Sequence, residues 1–291
     1  MIVGQVGAHR QSFNTSKLKS TVGLTSLHII LLLMAAVFIV PFFWLLSSSF
    51  KEPSELFQIP VRWLPQRVQF ANYEKIFKLI PFFLYLRNTM IIVVSTIIGS
   101  LISSSLVGYG FSRLRWKLRD KLFILVLITM ILPYQVTMIP LFLLFKQFKW
   151  VGGYLPLIVP AFFGNPFFIF LMRQFFTQLP DDLSQAARID GAGEFRIFWQ
   201  ICLPLSKPAL ATVAIYAFLR AWNDFIGPLI YLTNNDTYTM SIGIQLIRSR
   251  LDPKWEVLMA AGVLMVLPVL IIFFLMQKYF IQGIALSGIK G

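Results

Sequence analysis

Asn88 to Ser112 reads NTMIIVVSTIIGSLISSSLVGYGFS and contains no Asp, Glu, Lys or Arg. A run of this length meets the roughly 20 residues that a helix needs to cross about 30 Å of hydrocarbon. Lipid supplies no hydrogen-bond partners, so a crossing segment closes its backbone bonds within itself and is helical whatever its periodicity. Ser20 to Phe50, Leu122 to Phe145, Trp150 to Met172 and Val257 to Gln277 are equally free of charge. A sixth run, Pro208 to Thr233, carries only Arg220 and Asp224, one helical turn apart and expected to satisfy each other in lipid. The fold class is therefore an all-α membrane protein with six transmembrane helices and both termini on one side.

Composition agrees. Hydrophobic residues make up 57% of the chain and charged residues 13%, against about 25% charged in soluble domains. The net charge of +14 sits in loops flanking the spans, where anionic lipid head groups, not nucleic acid, are the expected partner. Cys202 is the single cysteine, so no internal disulfide and no thiolate metal site is possible, and it is read as a small buried apolar residue. Residues 1–22 form a basic N-terminal segment with Arg10, Lys17 and Lys19 and no acid. The apolar run behind it is too long for a signal peptide and lacks a small-residue cleavage site, which indicates an uncleaved first span.

The Lys and Arg count is nearly even between the two sides, so orientation rests on the short loops. Arg113, Arg115, Lys117, Arg119 and Lys121 crowd the loop between spans two and three, against Lys146 and Lys149 in the next. The dense loop belongs in the cytoplasm. Both termini and residues 173–208 follow it there, and Lys51 to Arg87 falls outside, where Pro53, Pro60, Pro65 and Pro81 forbid one continuous helix.

The cytoplasmic loop before span five differs from its surroundings: LPDDLSQAARIDGAGEFRIFWQICLPLSKPAL, Leu179 to Leu210. Pro180, Asp181 and Asp182 predict an N-cap and first-turn acids, and Gly191 a left-handed stop. A second short helix from about Gly193 to Ile201 is expected to end before Pro204 and Pro208. Ala186 and Ala187 keep one face low, and Phe195, Phe198 and Trp199 offer apolar anchors for a partner's groove.

Gln185-Ala186-Ala187, three residues, Gly191, nine residues, then Ile201-Cys202-Leu203-Pro204 resembles the E-A-A, x3, G, x9, I-x-L-P signature of importer permeases of the ATP-binding-cassette superfamily. ARIDGAG, ICLPLSKPAL, Trp222-Asn223-Asp224-Phe225, the GYGFSRL run from Gly108 to Leu114 and the KYFIQGIALSGIKG terminus are similar to carbohydrate-uptake permeases of the maltose-permease type. The resemblance implies a type I importer fold, with a permease domain over 23–291, a coupling loop at 173–208 and a cytoplasmic tail at 278–291. It implies ATPase-coupling roles for Gln185, Ala186, Ala187, Arg188, Asp190, Gly191, Phe195, Ile201, Leu203 and Pro204, and a further one for Gly283 to Gly291. The implied partners are a second permease subunit in a heterodimer, two ATP-binding-cassette ATPase subunits and an external solute-binding protein in a bacterial cell membrane. Gln185 stands where the family has glutamate; it keeps hydrogen-bonding reach and loses the charge.

No G-x-x-x-x-G-K-[ST] loop occurs, so ATP and Mg are expected on the partner ATPases, and this chain is expected to hold no cofactor and to be no enzyme. His9 and His28 are the only histidines, and no metal or catalytic cluster is expected from them. The rival readings are a secondary, ion-coupled transporter, for which the chain lacks a visible repeat, and an importer permease for a non-sugar solute. Three polar interruptions near the membrane midplane are candidates for the path of a carbohydrate: Tyr134 and Gln135 after Pro133, Asn165 before Pro166, and Arg220, Trp222, Asn223 and Asp224. An acidic sugar is favoured if Arg220 is free of Asp224 and faces the cavity.

Overall fold

A computed structural model describes residues 12–249 and 253–288, with side chains over 24–249 and 253–277. The segment 1–11 and residues 289–291 lie outside it, and the tail role implied for Gly283 to Gly291 falls where no side chain is described. In chain order the helices are α1 (Ser12–Ser49), α2 (Pro53–Leu56), α3 (Ala71–Leu79), α4 (Phe82–Ser112), α5 (Arg119–Thr129), α6 (Tyr134–Gln147), α7 (Leu155–Ile158), α8 (Pro166–Gln178), α9 (Asp181–Ile189), α10 (Glu194–Ile197), α11 (Leu203–Leu205), α12 (Lys207–Trp222), α13 (Ile226–Tyr231), α14 (Met240–Arg248) and α15 (Trp255–Gly288).

Among the described residues four helical stretches are long and apolar enough to cross a membrane: Leu24–Ser49, Phe82–Ser112, Leu155–Gln178 and Trp255–Gln277. The pair α5 and α6, bent by 97°, and the pair Glu194–Leu205 with α12, bent by 77°, bring the total to the expected six if each is one span. Pro133 causes the first bend. It has no N–H to continue the helix and sits extended (φ −67°, ψ 142°) as the cap of α6.

The run Pro208 to Thr233 is not the single helix expected from its sequence. α12 ends at Trp222, the chain unwinds over Asn223–Phe225, and α13 restarts at Ile226. Polar side chains hold the break: Asn223 Nδ2 donates to the Leu219 carbonyl at 2.8 Å beside the Asn223 N–H at 3.2 Å, and Asp224 Oδ1 accepts the Gly227 N–H at 3.0 Å in place of a lost backbone bond. Among the described residues Arg220 and Asp224 form no ion pair, which corrects the pairing expected from their spacing.

The chain divides into two compact units, the first running to Tyr73 and including Trp255–Val263, the second holding Glu74–Lys254 and the residues from Leu264 onward. In the first, Lys51 is fully buried. Its Nζ donates to the Arg62 carbonyl at 2.6 Å and lies 3.9 Å from the Trp44 ring centroid, and burial pushes its amine below the ordinary lysine value. Asn72 ties the Ser49 and Lys51 carbonyls at 3.0 and 2.9 Å. These contacts order a proline-rich stretch that makes only short helices, as its sequence requires.

In the second unit α4 is the central helix, packed by α8 and α12. Its packing face is small: Gly99, Ser100, Ser103, Ser104 and Gly108 are buried. Small side chains let backbones approach where no water drives association, and serines can bond back to their own helix. Ser103 reaches its own helix at the Ser100 carbonyl only at 3.4 Å and donates to the Ala161 carbonyl at 2.9 Å. At the end of α4, Tyr109, Phe176 and Phe198 form a ring cluster with centroids 5.2–6.4 Å apart, around which Met172, Ile197, Cys202 and Val213 close the core. Each such aromatic pair is worth about 0.5–1.5 kcal/mol beyond burial.

A Cβ on Gly108 would come within 2.8 Å of Met172 Cβ and 3.0 Å of the Arg173 nitrogen, whereas one on Gly110 meets nothing. Gly108→Val is expected to cost about 1–3 kcal/mol by overpacking, seen as a lowered thermal midpoint in detergent. Gly110→Ala leaves the midpoint unchanged or raises it.

Candidate functional site

The three sequence interruptions meet. A cavity of about 540 Å³ is lined by Tyr134 and Thr137 at the start of α6, Gly164 and Asn165 before α8, and Arg220, Asp224 and Gly227 at the α12–α13 break, with Thr96 and Ser100 from α4 and Tyr231 from α13. Each of the three elements breaks its helix here for a local reason. Pro133 ends the first. Gly164 has φ 96°, a left-handed geometry where a Cβ would strike Ile169 Cδ1 at 2.9 Å, and Asn165 then caps α8 by accepting the Phe167 and Phe168 N–H groups at 3.0 and 3.4 Å. At Gly227 a Cβ would fall 2.4 Å from Asp224 Oδ2 and 2.9 Å from Leu157 Cδ2, so only glycine lets Asp224 reach the backbone of α13.

Of the residues expected along a solute path, Tyr134, Asn165, Arg220 and Asp224 line the cavity and Gln135, Trp222 and Asn223 do not. Trp222 is a core residue, stacked on Phe218 at 5.6 Å, with Nε1 donating to the Met265 carbonyl at 3.1 Å. Asn223 is engaged with Leu219. The sequence reading missed Thr96, Ser100, Thr137 and Tyr231. Hydroxyls inside apolar spans were the available signal, and Thr96 Oγ1 is buried with no hydrogen-bond partner.

The second candidate region is the loop after α8. The Asp181 and Asp182 side chains do not cap α9, which has no side-chain cap; they stand in its first turn, complementing the helix dipole. Asp181 instead pairs with Arg113, whose other terminal nitrogen donates to the Leu179 carbonyl. At its far end α9 stops as expected: Gly191 takes φ 81°, its N–H reaches the Arg188 carbonyl at 3.0 Å, and the Ala192 N–H reaches the Ala187 carbonyl at 2.8 Å. Those two bonds make a Schellman cap, which favours glycine.

Beyond the cap the second helix differs from expectation. α10 passes through a π-turn at Phe198–Cys202 into α11, so Pro204 lies within a helix instead of stopping the one before it. Pro204 falls in the first turn of α11 and Pro208 in that of α12, where no backbone donor is needed. The break falls at Ser206, whose hydroxyl bonds the Cys202 carbonyl at 2.7 Å.

The buried face of this loop is Ser184, Ala187, Ile197, Phe198 and Cys202, so Phe198 is core and not a partner anchor. Glu194 links the two short helices, accepting from Arg188 Nε at 2.9 Å and from the Tyr109 hydroxyl at 2.7 Å. The Glu194 carboxylate also raises the Arg188 pKa. Nothing in the loop composition singled out this bridge, because Tyr109 is 85 residues away. The outward face shows Ile189 (86% exposed), Phe195 (72%) and Trp199 (59%), the last two rings stacked, with Gln185, Ala186, Asp190, Leu203 and Pro204 also reaching the surface. Ile201 is half-buried against the core. Beside this face a cleft of about 950 Å³ is lined by Arg113, Arg115, Arg119, Gln185, Arg188 and Glu194 among others.

Removing the Arg113 clamp leaves α9 held by fewer bonds, and a charge-assisted hydrogen bond is worth about 1.5–3 kcal/mol. Arg113→Met is expected to accelerate amide exchange over α9 about tenfold or more by mass spectrometry. Unchanged exchange would show that Arg113 does not hold this helix.

Residues 95–286 match the family described as binding-protein-dependent transport system inner membrane component. The arabinooligosaccharides transport system permease protein AraQ of Bacillus subtilis is 35% identical over 91% of this chain and 95% of its own. The lactose transport system permease protein LacG of Rhizobium radiobacter is 31% identical over 90% and 94%. The fold matches a chain of a bacterial ABC transporter that imports the acidic polysaccharide alginate, with TM-score 0.78, 23% identity and coverage of 94% and 100%.

Proposed function

Because the chain belongs to the family of binding-protein-dependent transport system inner membrane components, we propose that it is one of two membrane subunits of an ATP-driven importer for a carbohydrate. The solute arrives on an external binding protein and passes through the 540 Å³ cavity, which is this subunit's share of the path. ATP and Mg are bound by two separate ATPase subunits. The second permease is a different chain of similar fold, the termini face the cytoplasm, and the membrane is that of a bacterial cell. The names of the arabinooligosaccharide and lactose relatives support a saccharide.

One observation carries the mechanism: the outward face of the loop that bears the coupling signature exposes Ile189, Phe195 and Trp199. An apolar surface on a polar loop is what a docked partner covers. Pressed by closing ATPases, α9 and α10 transmit force, because the Arg188–Glu194–Tyr109 bonds fasten them to the end of α4 and the π-turn leads through α11 and the Ser206 bend into α12. α4 and α12 both line the cavity, so a push at the loop reaches the solute path. Gln185 docks by hydrogen bonding and packing without the charge of the usual glutamate.

Gly191→Val places a β-branched residue at φ 81° with a cost of about 1–2 kcal/mol. The substitution is expected to re-aim α10 and abolish solute-stimulated ATPase activity in the assembled complex while membrane insertion persists. Full stimulation in this variant would contradict the coupling role. Topology is tested separately: Lys117→Cys is expected to react only with probes that reach the cytoplasmic side, and labelling from outside would invert the orientation.

A further inference from the structure

The cavity holds two opposite charges, and they are differently committed. Asp224 is used within the fold: Oδ1 accepts the Gly227 N–H, and Oδ2 occupies the space that a Gly227 side chain would take. Its charge is drawn into the backbone at the start of α13. Arg220, in the last turn of α12, lines the same cavity and is exposed to it. Among the described residues no carboxylate lies within ion-pair distance of its guanidinium and no hydrogen bond holds it. Asp224 and Tyr134 are near enough to feel its charge without pairing with it.

An arginine at membrane depth costs about 2.5–3.5 kcal/mol even on the most lenient scale, so a fold that leaves one unpaired at a cavity wall has a use for it. A guanidinium presents a planar fork of donors that matches a carboxylate or phosphate in two parallel bonds. The surrounding wall suits a sugar ring. Tyr134 and Tyr231 are aromatic, Thr137 and Ser100 carry hydroxyls, and Thr96 Oγ1 is buried without a partner.

We propose that Arg220 selects a solute with an anionic group, a carboxylate or a phosphate, borne on a polyhydroxylated frame whose hydroxyls the Thr96 and Tyr134 side chains can meet. The substrate class is thus an acidic saccharide, such as a uronate oligomer or a sugar phosphate, in preference to a neutral one. The inference rests on the importer reading above and deepens it. Arg220 acts after the binding protein has delivered its load, so it governs the maximal transport rate and not the concentration of loaded binding protein that half-saturates it.

The test uses the assembled transporter with its binding protein in proteoliposomes. Tri-galacturonate, a guluronate trimer and sn-glycerol-3-phosphate are compared with arabinotriose, maltotriose and cellobiose as stimulants of ATP hydrolysis and uptake. Stimulation at least tenfold greater by one or more of the anionic probes is expected, and uronate and phosphate arms separate the two sources of charge. Arg220→Gln is expected to lower the maximal rate with the anionic probe at least tenfold, and Arg220→Lys to restore most of it, both with an unaltered thermal midpoint. Stimulation by neutral saccharides alone, or an unchanged maximal rate in Arg220→Gln, overturns the role of Arg220 and leaves the importer intact. Stimulation by no saccharide of either charge overturns the carbohydrate reading and this inference with it.

Discussion

Hydrocarbon offers a peptide group nothing to bond to, and the architecture follows from that constraint. Continuous helices are the default, so every place where a helix stops inside an apolar run must supply its own replacement for the missing bonds. Among the described residues the chain stops three times within such runs and once just before one, and few bonds are left unmade: Pro133 has no N–H to satisfy, Asn165 caps α8, Asp224 accepts the Gly227 N–H at the α12–α13 break, and a π-turn with Ser206 carries the chain around the bend before α12. Three of the four stops surround one cavity. The fourth lies in the segment that carries the coupling signature.

This arrangement separates two jobs along the same helices. α4 is built of small residues where α8 packs closely, and its last turn holds Tyr109, the residue that fixes Glu194. α12 begins beside the loop that bears the coupling signature and ends at Arg220 and Trp222. A displacement at one end of either helix is therefore felt at the other, because closely packed helices shift as units and do not deform continuously.

Much of this was legible in the sequence, and the gaps have physical causes. Charge-free runs gave the spans because the solvent removes the alternatives, and Gly191 gave the loop bend because a left-handed cap admits little else. Spacing misled where a polar side chain had a better partner than the one beside it. Asp224 lies one turn from Arg220 but bonds the backbone of α13, and Asp181 bonds Arg113 in place of its own helix end. Pro204 misled because a proline in the first turn of a new helix looks the same in sequence as one that ends the old. Phe198 and Phe195 read alike as anchors, and only the packed structure assigns one to the core and the other to the surface. The Tyr109–Glu194 bond joins residues too distant in the chain for any local pattern to reveal.

The proposed function requires the apolar outward face of the loop at 179–210 to seat on a separate ATPase subunit. Ile189, the most exposed of the three large apolar residues on that face, can be replaced by cysteine and cross-linked in native membranes. A single product joining this chain to an ATPase subunit is expected, with a yield that changes when ATP is added. No such product, together with ion-gradient-driven saccharide uptake by the purified chain alone, would contradict it.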